Sequence, residues 1–277
     1  MAIIPPFFLD CVVAIGMRKV DSQISWTASG FLFGSKLPEP VGGWGEGGER
    51  FQIWLVSNRH VAKNLQNQGV VRFFSQKENE VIEIDLHEWN IRPEGNWIYH
   101  PNEEVDVAVL PVRTDHLSAA SGKLNFFHED KHSATVQQLK NLGVVEGQSG
   151  FLLGYPAAVH PGPTNAVIVR QSCIARIRNT YSGSSQTIIV DGTVFPGNSG
   201  GAAIITPEMA AIEGTQPIQN AYLIGIVAAY VPYIDVAASQ QTGKARITFE
   251  ENTGLTIIYP VDFLLETIAI AKLRHEI

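Results

Sequence analysis

Ten short runs rich in Val, Ile, Leu, Phe and Tyr, each cut off by Gly, Pro, Asn or Asp, limit what this chain can fold into. They are DCVVAIGM (10–17), ASGFLFG (28–34), FQIWLVS (51–57), VIEIDLH (81–87), DVAVLPV (106–112), GFLLGY (150–155), AVIVRQSCIARI (166–177), QTIIVDG (186–192), AYLIGIVAAY (221–230) and LTIIYP (255–260). Branched and aromatic side chains suit a pleated, half-buried surface. Runs of this length bounded by turn residues are the mark of strands. About ten to twelve strands with turns between them predict an all-β fold, a sandwich or a barrel.

Two segments read as helix. HVAKNLQN (60–67) is a single short one. In VDFLLETIAIAKLRHEI (261–277), Phe263, Leu264, Ile268 and Leu273 recur at helical spacing. Asp262 lies near its start and Lys272 and Arg274 near its end, as the helix dipole favours. This segment is expected to pack as a terminal helix on the β-structure. Residues 35–50, with five glycines and two prolines, read as an exposed connection. So do residues 113–147, which lack strand character and fall near the middle of the chain.

Composition removes several classes of function. The chain has 277 residues, 45% of them hydrophobic and 17% charged, enough for a core without disulfide staples. The net charge is −7 and the Lys and Arg residues are scattered, so a nucleic-acid partner is not expected. No apolar run approaches the ~18 residues of a spanning helix, so no membrane partner is expected. The opening MAIIPPFFLDCVVAIGM lacks a basic start and is interrupted by Pro5, Pro6 and Asp10, unlike a signal peptide. The expectation is a cytoplasmic protein. Cys11 and Cys173 each lie in an apolar run and read as small buried hydrophobes, with no bridge established between them. The eight histidines have no HExxH spacing, and no metal or other cofactor is expected.

The strongest local signal is TVFPGNSGGAAI (193–204). A nucleophilic serine on a tight turn needs neighbours without side chains so that the backbone can approach a substrate carbonyl. Gly197, Gly200 and Gly201 flank Ser199 in this way, and the N–H groups of Gly197 and Ser199 are candidates for an oxyanion hole. A serine hydroxyl needs a base. His60 follows the apolar run IWLVS, where a buried strand gives way to a short helix and a ring is held rigidly. The base in turn needs a carboxylate to fix its tautomer, and Asp106 opens the apolar run VDVAVLPV. The order His, Asp, Ser sets this triad apart from the subtilisin and α/β-hydrolase orders.

SNRHVA (57–62), DVAVL (106–110) and PGNSGGA (196–202) resemble the three catalytic blocks of trypsin-like serine peptidases, most of all the bacterial, disulfide-poor HtrA (Deg) branch. SGFLF (29–33), LIGIV (223–227) and GLTIIYPVDFLLE (254–266) resemble strand and terminal-helix segments of the same group, so the likeness spans essentially the whole chain. It implies two six-stranded antiparallel β-barrels of chymotrypsin type and a C-terminal α-helix, with the active site between the barrels. On that reading residues 1–120 form the barrel carrying His60 and Asp106, and 121–147 connect the barrels. Residues 148–260 form the barrel carrying Ser199, and 261–277 the helix. Members of that branch usually carry a PDZ domain after the peptidase unit and periplasmic targeting; neither is expected here, so substrate delivery and assembly are not carried over.

The implied activity is that of a serine endopeptidase acting on a protein or peptide substrate through an acyl-enzyme. Asn198 stands where digestive relatives have the Asp that pairs with a newly cut N-terminus, so no N-terminal clipping is expected. The resemblance places Thr193 at the base of the primary pocket and lines that pocket with Ala228, Ala229 and Tyr230. A neutral Thr does not neutralise Lys or Arg, and Tyr230 narrows the space, so small or medium uncharged residues are expected there. Asp191 is a second candidate for the base. Two other readings fit the same residues: a protease switched on by a regulatory partner protein or ligand in a stress or defence response, and a silent protease-fold binding module.

Overall fold

A computed structural model describes residues 4–37, 49–65, 69–75, 80–89, 97–112, 124–157, 159, 166–210 and 215–275. Most of the expected connection 35–50 (residues 38–48), the expected end of the first helix at 66–67, residues 113–123 and the last two residues lie outside the described set.

The first half of the chain builds one sheet. Its strands are β1 (Val12–Arg18), β2 (Ile24–Lys36), β3 (Phe51–Ser57), β4 (Gly69–Ser75), β5 (Glu80–Asp85), β6 (Ile98–Tyr99) and β7 (Ala108–Pro111), in the spatial order β5-β4-β1-β2-β3-β7-β6. An eighth strand, β8 (Phe127–His128), adds to β2 in parallel. Alternate residues of one strand enter different cores. Val13 and Ile15 of β1, with Ile53 and Leu55 of β3, face a core that also takes Val61, Ala62 and Leu65 of helix α2 (Arg59–Leu65). Val12 and Ala14, with Trp54 and Val56, face a second core shared with the rest of the molecule. Both faces of the sheet are therefore buried, which is why these runs are continuously apolar rather than alternating.

The second half closes into a barrel. Strands β9 (Ser149–Gly154), β10 (Ile168–Arg176), β11 (Ile188–Asp191), β12 (Ala202–Ile205), β13 (Tyr222–Ala238) and β14 (Ala245–Pro260) join in the order β10-β11-β14-β13-β12-β9. Leu152, Ile174, Val190, Ala203, Val227 and Ile258 fill its interior. Where two six-stranded barrels are expected, there is one closed barrel of six strands and one sheet of eight whose edges, β5 and β6, are not joined among the described residues. β6 is only two residues long and offers too short a ladder for closure.

Helices fill in around the β-structure. α1 (Pro6–Asp10) opens with proline in its first turn, a position where the missing N–H costs nothing. α3 (Leu86–Trp89) and α5 (Arg178–Tyr181) are single turns. α4 (Val136–Asn141) lies in the connection read above as a loop. Its capping box, Thr135 with Gln138, is nevertheless a sequence-level helix start. The terminal helix α6 (Val261–His275) buries Val261, Leu264, Ile268 and Ala271 in the shared core. Leu273 belongs to the opposite side and is 82% exposed, so it is not part of the packing stripe expected above. Among the described residues no helix is long and apolar enough to cross a membrane. Both cysteines are free thiols.

The expected strands end at 230 and resume at 255, but β13 and β14 do not stop there. They run out of the barrel as a two-stranded arm, paired from Pro232↔Asn252 to Ala238↔Ala245. Gly243 takes φ +66° in the turn at its tip.

Candidate active site

His60 sits in the first turn of α2, directly after the buried end of β3. Asp106 precedes β7, the neighbour of β3 in the sheet. Sheet pairing thus brings the two residues together across a long stretch of chain. Asp106 uses both carboxylate oxygens on one residue: Oδ2 lies 2.6 Å from His60 Nδ1, and Oδ1 accepts the His60 backbone N–H at 2.9 Å. A carboxylate at Nδ1 favours the tautomer with the proton there and leaves the lone pair of Nε2 free to act as a base.

Two residues before His60 hold the Asp106 loop from beneath. Asn58 Nδ2 donates to the Asp106 carbonyl at 2.8 Å. The buried Arg59 guanidinium donates to the carbonyls of Val105, Asn102 and His100, and lies 5.4 Å from the centre of the Tyr99 ring. The loop is also tied to the rest of the molecule. His100 accepts the Asn102 N–H on Nδ1, so its Nε2 carries the proton toward Glu266 of α6 at 2.9 Å. Tyr259 donates to the Glu104 carbonyl at 2.6 Å.

Ser199 lies on the turn before β12, in the second half. Gly197 and Gly200 adopt φ +100° and +86°, a region that L side chains rarely enter. A Cβ at Gly197 would collide with the Ala157 nitrogen, and one at Gly200 with the Ser29 carbonyl and Ser57 hydroxyl. The Pro196 carbonyl accepts the Ala157 N–H at 2.8 Å. Because the peptide is trans, this turns the Gly197 N–H the opposite way. Among the described residues neither the Gly197 nor the Ser199 N–H has a hydrogen-bond acceptor within the protein. The Ser199 hydroxyl donates to the Ala228 carbonyl at 3.2 Å, and no hydrogen bond joins it to His60.

The residue that locks this turn to the first sheet is Ser29 of β2, which sequence reasoning did not single out. It is fully buried. Its hydroxyl donates to the Gly197 carbonyl at 2.7 Å and accepts the Tyr155 N–H at 2.8 Å. Its N–H donates to the Ser199 carbonyl at 2.9 Å, and its carbonyl accepts the Ser57 hydroxyl at 2.8 Å.

His60 and Ser199 line one cavity of about 400 Å³. Its walls are mainly apolar: Val194, Phe195, Pro196, Val227, Ala228, Ala229, Tyr230 and Pro232. Glu250 of the arm is its acidic member and accepts a hydrogen bond from the Tyr230 hydroxyl. Ala228, Ala229 and Tyr230 therefore stand where the pocket residues are expected. Thr193 does not line this cavity and lies beside Gly254, and Asp191 is exposed on β11. Glu250 and Pro232 come from the arm, which no local motif marks. Among the described residues no cluster of three or more His, Cys, Asp or Glu is placed to hold a metal ion. The sequence matches no protein-family model and no curated protein.

Proposed function

We propose that this protein is a serine endopeptidase that cleaves polypeptides through an acyl-enzyme, with His60 as base, Asp106 as its orienting carboxylate and Ser199 as nucleophile. The observation that carries the reading is that His60, held by Asp106, lines the same cavity as Ser199, whose N–H and that of Gly197 have no acceptor among the described residues. The architecture is read as chymotrypsin-like, the first sheet with its own core standing for the first barrel.

In this reading the Ser199 hydroxyl leaves the Ala228 carbonyl and gives its proton to His60 Nε2 as its oxygen attacks a peptide carbonyl. The Gly197 and Ser199 N–H groups take the developing oxyanion. His60 returns the proton to the departing amine, then activates the water that releases the acyl group. Asp106 stays ionised and steadies the imidazolium. The mainly apolar walls favour an uncharged residue before the cleaved bond.

Fluorophosphonate labelling tests the assignment. Wild type should label, Ser199→Ala should not, and His60→Gln should label far more slowly. Asp106→Asn should lower kcat by about 10⁴-fold through the wrong tautomer. A folded wild type that stays unlabelled, or Ser199→Ala that still cleaves a proteome at the same new termini, overturns the reading.

The Ser199–Ala228 bond favours a regulated form of the same enzyme, since the hydroxyl must be released before it reaches His60. Labelling that is slow for the pure protein and accelerates when a partner or ligand is added separates this form from a constitutive one.

A further inference from the structure

We infer that one face of the β13–β14 arm is a substrate exosite, which takes an extended stretch of polypeptide on the N-terminal side of the cleaved bond and prefers apolar residues at alternate positions. The inference rests on the peptidase reading and names the kind of substrate it serves.

Side chains directly opposite in an antiparallel ribbon share a face. Pro232 with Asn252, Ile234 with Glu250, and Val236 with Thr248 form one face of the arm. Tyr233 with Glu251, Asp235 with Phe249, and Ala237 with Ile247 form the other. The first face looks onto the cleft, because Pro232 and Glu250 line the cavity that holds His60 and Ser199. Asn252 of the same face donates to the carbonyl of Val194, another wall residue, at 2.7 Å. Ile234 and Val236 continue this face outward and are 56% and 47% exposed. Among the described residues the arm's strands pair only with each other, and a lone two-stranded ribbon with exposed apolar side chains is marginal in water. A segment that covers Ile234 and Val236 removes the exposure on the cleft face, while Tyr233, Ile247 and Phe249 on the other face, 57%, 56% and 52% exposed, look away from the cleft.

The chemistry says which segment this is. His60 must reach the departing amine, so the half of the substrate beyond the cleaved bond lies toward the first sheet. The acyl half is left on the β13 side, along Ala228–Tyr230 and then the arm. An extended strand advances about 3.3 Å per residue, so the path from Ala228 to Val236 spans about eight substrate residues. Pro232 has no N–H to offer, which interrupts main-chain pairing there. Beyond it, recognition falls to side chains, and Ile234 and Val236 stand two residues apart on one face, matching alternate residues of an extended substrate.

The test compares β-casein, an unfolded polypeptide, with a fluorogenic tetrapeptide taken from a mapped cleavage site. In the double variant Ile234→Ser/Val236→Ser, kcat/KM for casein should fall about fivefold or more through KM, while the tetrapeptide changes less than about twofold. The opposite-face variant Tyr233→Ser/Phe249→Ser should leave both substrates unchanged. Fluorophosphonate labelling at the wild-type rate in both variants reports an intact site. Independently of any variant, the N-terminal product peptide of about ten residues should inhibit wild type several-fold more tightly than the same product cut to four. Labelling intact but casein turnover unaffected overturns the exosite alone. So does an equal loss from both faces, or a double variant whose only change is from dimer to monomer in sedimentation, which makes the arm a self-association surface. Absence of wild-type labelling overturns the peptidase reading and the exosite with it.

Discussion

The hydroxyl of Ser29 and the carbonyl of Gly197 meet at 2.7 Å although they belong to different halves of the molecule. The same serine holds the Ser199 carbonyl through its own N–H and the Tyr155 N–H through its hydroxyl oxygen. One small buried side chain therefore fixes the turn that presents Ser199 against the sheet that presents His60. Its neighbour in this role, Ser57, ends the strand just before His60 and closes the link through the Ser29 carbonyl.

Ser29→Ala deletes the hydroxyl that bonds the Gly197 carbonyl and the Tyr155 N–H, two buried groups that lose this bond. Each such group costs about 1–3 kcal/mol. The expected result is a loss of about 2–4 kcal/mol in urea unfolding together with slower fluorophosphonate labelling. Full stability with normal labelling would contradict the role.

Ala157 is exposed, and its N–H holds the Pro196 carbonyl. Ala157→Pro removes that donor and frees the Pro196–Gly197 peptide to rotate its N–H out of the cleft. Loss of one oxyanion donor lowers kcat by about 10²–10³-fold. KM and thermal stability should change little. Stopped-flow acylation with an activated ester measures the step directly, and an unchanged rate removes Gly197 N–H from the mechanism.

Arg59 is buried and bonded to three carbonyls, with no carboxylate in salt-bridge contact among the described residues. Arg59→Met keeps the length of the side chain and deletes the donors. Hydrogen bonds to a charged group are worth about 1.5–3 kcal/mol each, not additively, so a loss of about 3 kcal/mol is expected. The Asp106 loop loosens with it. Arg59→Lys should restore part of the stability, and less of the activity, because a single ammonium does not span three acceptors in a plane.

His132 gives the fold an acid sensitivity. Burial is the main cause holding its pKa down, to about 4, with the nearby His128 adding to it. Its ring packs on Phe7, Phe8 and His128, and its Nδ1 accepts the His128 N–H at 2.9 Å, a bond the protonated nitrogen does not make. In the unfolded chain the ring takes a proton near its ordinary value of about 6.5. Between that value and about 4 the unfolded state binds a proton that the native state does not, so stability falls as the pH drops through this window and levels below it. His132→Asn keeps an acceptor without the titration. The fall in unfolding midpoint from pH 7 to pH 4.5 should be smaller in that variant than in wild type, and an equal fall would assign the sensitivity elsewhere.

Much of the β-structure is legible in the sequence because strands declare themselves locally. FQIWLVS and GFLLGY lie where β3 and β9 run, and VDFLLETIAIAKLRHEI where α6 runs. Thr135 and Gln138 carried a legible helix start that the loop-like surroundings concealed. The glycines around Ser199 and the order of His60, Asp106 and Ser199 are likewise features of the chain itself. Leu273 is a different case, since its spacing was helical but its side of the helix was decided by what lay beneath.

The sequence alone determined where the backbone is extended, where it turns, and which residue types are available for acid–base and nucleophilic chemistry, because those properties arise within a few neighbouring residues. Only the tertiary structure decided that Asp106 spends both oxygens on His60, that Ser29 grips the Ser199 turn, and that an arm from β13 and β14 brings Glu250 to the cleft. Each of these is a contact between segments far apart in the chain. A single Ser, Arg or Glu carries no local mark of the partner that folding places against it.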